Sequence, residues 1–259
     1  MKIAVTGKGG VGKTTLSSVL SHLYAAEGRK VIAVDADPDA NLASALGVPR
    51  EVAAKIRPIA DMGELIEERM GTKPGTMGGV FKLNPKVEDL PEEIGLKFSG
   101  MTLMIMGKSK AASSGCYCPE NVLLRRLLRH LVVERDEVVI VDMEAGIEHF
   151  TRGTADSVDA FIVVVEPGQR SMQTAGVVQE MAKGLGVKNV FVVANKVRGE
   201  EDLAFIKKNL GAMQLAGHIS FNNDVMEADI NGAAPYGHSP KTVEEIRGIK
   251  AVIEKTLNV

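Results

Sequence analysis

The 259-residue chain has no tryptophan and only two cysteines, and aromatic residues make up 4% of it. A core so poor in rings has to be assembled from Val, Ile, Leu, Met and Ala. Two cysteines are too few for a disulfide framework, so a reducing, cytoplasmic setting is expected. No apolar run approaches the roughly 18 residues that a membrane span needs. The first apolar strand starts almost at Met1, which leaves no room for an export leader. A net charge of −2 lacks the clustered basic excess of a general nucleic-acid or anionic-membrane surface. The reading is therefore no nucleic acid and no membrane. Neither an internal repeat nor a second domain is visible.

What the sequence does contain is concentrated near its start. Lys2-Ile3-Ala4-Val5-Thr6 reads as a short strand, and a helical pattern runs from about Lys13 to Glu27. Between them lies Gly7-Lys8-Gly9-Gly10-Val11-Gly12-Lys13-Thr14. Strand and helix are the context that a G-x-x-x-x-G-K-[ST] phosphate loop requires. Glycines let backbone N–H groups turn toward phosphate oxygens, and the helix dipole favours the same anion. Gly9, Gly10, Val11, Gly12, Lys13, Thr14 and Thr15 are the expected nucleotide-binding residues. Lys13 should reach the β- and γ-phosphates, and the Thr14 hydroxyl should ligate Mg²⁺.

Further apolar runs at Val31–Val34, Leu103–Met106, Val138–Val141, Phe161–Val165, Val190–Ala194 and Leu215–Ile219 alternate with helical patterns near 61–70, 120–134, 170–184 and 200–209. Strands of near-continuous hydrophobicity separated by helices imply an α/β fold. The expectation is one domain over 1–259, with a mostly parallel central sheet of about seven strands and helices on both faces. The stretch 72–99 is rich in Gly, Pro and Lys, and its Val80–Leu83 and Leu96–Phe98 could pair as a small appended hairpin.

Acidic loops follow two of these strands. Asp35-Ala36-Asp37-Pro38-Asp39-Ala40-Asn41 stands at the carboxyl end of the second, where open α/β sheets place ligand chemistry. Phosphoryl transfer asks mainly for a positioned water and neutralised charge. Asp142, after Val138–Val141, is the expected Mg²⁺-binding acid, acting through a water. Gly146 can offer an N–H to the γ-phosphate. Asn195 carries the donor and acceptor that adenine needs.

Lys8 and the cysteines suggest a second copy of the chain. Lys8 points away from phosphates bound by its own loop, and its charge is most useful on a phosphate held by a partner. Cys116-Tyr117-Cys118 supplies two thiolates, half of a tetrahedral Zn²⁺ site or of a square-planar Ni²⁺ site. A symmetric pair of chains supplies four.

The run K-G-G-V-G-K-T resembles the deviant phosphate loop of the Min/Par/nitrogenase-iron-protein class of ATPases. Together with D-A-D-P-D-A-N-L, C-x-C before a helix and D-M-E-A-G-I-E-H, it resembles over essentially the whole chain the ATPases that assist nickel insertion into carbon monoxide dehydrogenase. The resemblance implies a homodimer that closes over ATP, hydrolyses it to ADP, and carries Ni²⁺ or Zn²⁺ on Cys116 and Cys118. It implies catalytic roles for Lys8, Lys13 and Asp37, with Asp37 orienting the attacking water, and adenine binding at Asn195. Carbon monoxide dehydrogenase would be the client. A nickel-insertion factor for acetyl-CoA synthase is similar. A membrane- or DNA-positioning ATPase of the same class is a competing reading, and an iron–sulfur reductase ranks behind it. Ser220 departs from the Ile-Pro segment with which such ATPases line the base.

Overall fold

A computed structural model describes residues 1–75, 80–107, 118–145, 150, 152–155 and 157–259, the side chains of residues 152 and 153 excepted. Its strands are β1 (Lys2–Thr6), β2 (Val31–Asp35), β3 (Leu96–Phe98), β4 (Met101–Ile105), β5 (Val138–Asp142), β6 (Ala160–Val165), β7 (Val190–Val197) and β8 (Gln214–Ser220). They form one sheet in the order β3-β4-β2-β5-β1-β6-β7-β8. All described pairings are parallel except β3 with β4. β3 is the strand added to the expected set. Leu96–Phe98 pairs with Met101–Ile105 and not with Val80–Leu83, which form no strand. The left-handed pair Ser99 and Gly100, at φ 46° and 78°, reverses the chain between β3 and β4 and makes that pairing the short-range choice.

Helices cover both faces because each inner strand is apolar on both sides. Alternate residues Ala4, Ile32 and Val34 face one layer, built on α2 (Gly63–Met70), α3 (Pro119–Arg129), α4 (Gln169–Gly184) and α5 (Glu200–Asn209). Their neighbours Ile3, Val5, Val31 and Ala33 face the other, built on α1 (Lys13–Ala26) and the C-terminal α7 (Pro240–Leu257). The preceding short helix α6 (Asn223–Ile230) borders the cavity described below. In α7 the apolar stripe Val243, Ile246, Ile249 and Ile253 lies inside this second layer. Lys250 ties α7 to α1: its ammonium sits between Glu27 and Glu254, each at 2.9 Å, and over the Tyr24 ring at 4.5 Å. Among the described residues no helix is long and apolar enough to cross a membrane.

The strand order determines where ligands go. Successive parallel strands lead away from β1 in both directions, so the chain reverses its winding beside β1. A crevice opens there at the carboxyl ends of the strands.

Candidate nucleotide site

The loop leaving β1 turns into α1 at the mouth of that crevice. Gly7, at φ 148°, lies so close to the Val164 carbonyl that a β-carbon would strike it. Gly12, at φ 95°, lies against the Asn195 amide, which likewise leaves no room for a side chain. No side chain caps the first turn of α1 and no acidic residue stands in it. Its amides are thus left for an anion. Lys13 is buried, and its ammonium lies 3.5 Å from Asp37 Oδ2. The strand-end loop that follows β2 therefore meets the phosphate loop at the lysine expected to contact the β- and γ-phosphates.

Two carboxyls lie behind this contact. Asp35 and Asp142 are register partners on β2 and β5, and both are almost wholly buried. Asp35 clips its own loop together, since its carboxylate accepts from Leu42 N at 2.8 Å and Asp37 N at 3.2 Å. Burial, aided by the Asp142 charge, pushes its carboxyl up to about 7 against those two bonds. Burial likewise raises Asp142, to about 6, although the Thr14 and Ser17 hydroxyls and the Lys13 charge pull the other way. Ser17 donates to Asp142 Oδ1 at 3.2 Å. Asp142 Oδ2 is buried with no hydrogen-bond partner among the described residues. An unpartnered carboxylate oxygen close to Thr14 fits a Mg²⁺ shell, which it would join through a water while Thr14 ligates directly.

Beside the loop is a cavity of about 670 Å³, of a size for a nucleoside. Gly10, Gly12, Thr14 and Thr15 form its phosphate end, and Asn195, Ile219, Phe221 and Pro235 are among its other walls. Ser220 is engaged elsewhere, donating its hydroxyl to Glu245 at 2.6 Å. Phe221, half exposed beside it, offers an apolar face.

The model of the CobQ/CobB/MinD/ParA nucleotide-binding domain matches residues 2–236. The chain belongs to that family. It is accordingly an ATPase of the MinD/ParA type. It is 46% identical to the carbon monoxide dehydrogenase accessory protein CooC of Rhodospirillum rubrum, over 98% of this chain and 96% of that protein. Identity is also 46% to an ATP-binding protein of Methanocaldococcus jannaschii, over 100% of this chain and 99% of that one. The MinD cell division protein of Aquifex aeolicus shares the fold, with a TM-score of 0.66 at 18% identity over 100% and 98% of the two chains.

Within the MinD/ParA frame the structure brings together Lys13, Thr14, Asp37 and Asp142. Lys8 is half-buried and makes no hydrogen bond or ion pair through its side chain among the described residues. Asp39 and Asn41 are exposed and bond within their own loop. Asn195 lines the cavity, but its amide is engaged: Nδ2 donates to Val11 O at 2.7 Å and Oδ1 accepts from Lys196 N at 2.8 Å. The pair of bonds expected toward adenine is thus directed at the chain itself. Cys118 precedes α3 and is 1% exposed. Cys116 and Gly146 lie outside the described residues.

Sequence reasoning passed over Asp35 as a clip and Ser17 as a partner of Asp142. Ser17 was findable, because it stands three residues after Thr14 and shares its helix face. Asp35 was not, because three aspartates in one loop look alike until burial separates them.

Proposed function

We propose that the chain is an ATP-driven accessory factor for carbon monoxide dehydrogenase, working as a homodimer that carries nickel as cargo on Cys116 and Cys118. The observation that carries this reading is the match to CooC, at 46% identity over nearly the full length of both chains. In the nucleotide cycle, inward amides of the phosphate loop and the Lys13 ammonium hold the triphosphate. Mg²⁺, when bound at Thr14 and near Asp142, supplies charge neutralisation at the phosphates. A γ-phosphate competes for Lys13, which releases Asp37 from its 3.5 Å contact so that it can orient water. Lys8 reaches a phosphate of the partner copy as the two chains close. Closure brings two Cys-x-Cys loops together, and hydrolysis lets them part with the metal.

Two features weigh against a positioning ATPase. The apolar stripe of α7 is packed on the sheet and is not offered to lipid. Of the arginines that could make a DNA patch, Arg126 is paired with Glu134 and Glu88, and Arg135 with Glu92 and Glu137, leaving Arg125 and Arg129 exposed.

The deciding experiment measures mass and bound metal with and without a non-hydrolysable ATP analogue. The expected result is a nucleotide-dependent dimer holding about one Ni²⁺ or Zn²⁺ per pair of chains. The Cys116→Ser, Cys118→Ser double variant should lose that metal and keep its ATP affinity. Metal retained by the double variant would assign the ion to other residues.

A further inference from the structure

The amides of a phosphate loop face inward only if its carbonyls are turned outward and kept there. Two of these carbonyls are caught by consecutive residues of one strand. Asn195 Nδ2 donates to Val11 O at 2.7 Å, and Lys196 Nζ donates to Gly10 O at 2.7 Å. The residues belong to β7, which is separated from β1 by the whole of β6.

Adjacent residues of a regular strand leave on opposite faces and do not address the same loop. Here the alternation is broken. Lys196 has φ 56°, and the register between β7 and β8 slips between Ala194 and Val197. A lysine in the left-handed region is held there against its own preference, and such strain collects where geometry serves function. Burial does not explain the contact, because the Lys196 side chain is 43% exposed and has water available. Its ammonium instead lies between the Gly10 carbonyl and Glu166 Oε2, 3.4 Å away just beyond β6. The same residue lines the nucleoside-sized cavity.

We propose that Lys196 is a positioning residue for ATP binding. Its ammonium fixes the outward Gly10 carbonyl while Asn195 fixes that of Val11, so that the loop's amides are aimed before phosphate arrives. Glu166 orients the ammonium. The inference rests on the ATP-binding reading of the loop and is independent of any metal or client.

The substitution Lys196→Gly separates this role from a conformational one, because glycine adopts φ 56° without strain and the fold is not put at risk. A residue needed only for the turn predicts unchanged nucleotide binding in that variant. The clasp predicts that Kd for ATP and KM for hydrolysis rise about tenfold while kcat stays within about twofold, the scale of one hydrogen bond from a charged donor. Inorganic tripolyphosphate should weaken in parallel, and Lys196→Arg should recover most of the affinity. Binding of ATP by Lys196→Gly within about twofold of wild type overturns the clasp. So does weakening confined to ATP with tripolyphosphate unaffected, since the residue would then serve the base alone. A wild-type protein that fails to bind ATP overturns the reading of the loop itself.

Discussion

At the scale of single residues, the site is a balance of buried charge. Lys13 lies 3.5 Å from Asp37, and in the proposed function a triphosphate competes for it. The Asp37→Asn variant is expected to bind ATP as well as wild type, with kcat lowered by about a hundredfold or more, as for loss of a positioned acid–base group. Unchanged turnover would assign the water to another acid. Asp35 and Asp142 make a second prediction. Their folded-state values, about 7 and about 6, lie above the unfolded value near 4. The folded chain therefore holds excess protons between about pH 4 and pH 7, and this contribution to stability is lost as pH rises through that window. Protein free of nucleotide and Mg²⁺ should melt at a lower temperature at pH 8 than at pH 5.5, and Asp35→Asn should flatten the slope. Calorimetry across that range checks it, and an Asp35→Asn protein with the wild-type slope would place the source elsewhere. That Lys13, Thr14, Asp37 and Asp142 meet was legible because each stands at or just after the end of a strand, at one edge of the parallel sheet. Asn195 was expected to serve adenine; it lines the cavity, but the direction of its amide depends on a loop from the far end of the sequence. No local pattern contains that information.

At the scale of elements, hydrophobic continuity located the inner strands and most of the helices. β3 was harder, because Leu96–Phe98 is short, half exposed and antiparallel, and its partner is chosen by a two-residue turn. The proposed partner Val80–Leu83 had the right composition, yet Val80 and Leu83 stand exposed. The last helix shows why charge balance is informative. Glu244, Glu245 and Glu254 offset all but one of Lys241, Arg247, Lys250 and Lys255, and α7 packs inward. Ile246 is fully buried there. Ile246→Ala should cost about 3 kcal/mol, read as a lowered urea midpoint with unchanged slope. Wild-type protein should not sediment with anionic liposomes. Co-sedimentation would revive the membrane-positioning reading.

At the scale of the molecule, the expected chemistry is divided between two copies. In the proposed dimer Lys8 serves a phosphate of the partner copy, and a single chain offers too few thiolates to complete a metal site. Lys8→Ala is expected to keep most of its ATP affinity and to lose ATP-dependent dimerisation, as light scattering with a non-hydrolysable analogue would show. A variant that still pairs normally removes the cross-subunit role. None of this division could be located by periodicity, which describes how one chain buries its own surface.

The enclosure of Cys118 has a practical corollary. A sulfur with 1% of its residue surface accessible is screened from alkylating reagents and peroxide until its surroundings part. The rate at which a maleimide labels it in a Cys116→Ser chain, followed while nucleotides are exchanged, is thus a clock for how often that enclosure opens.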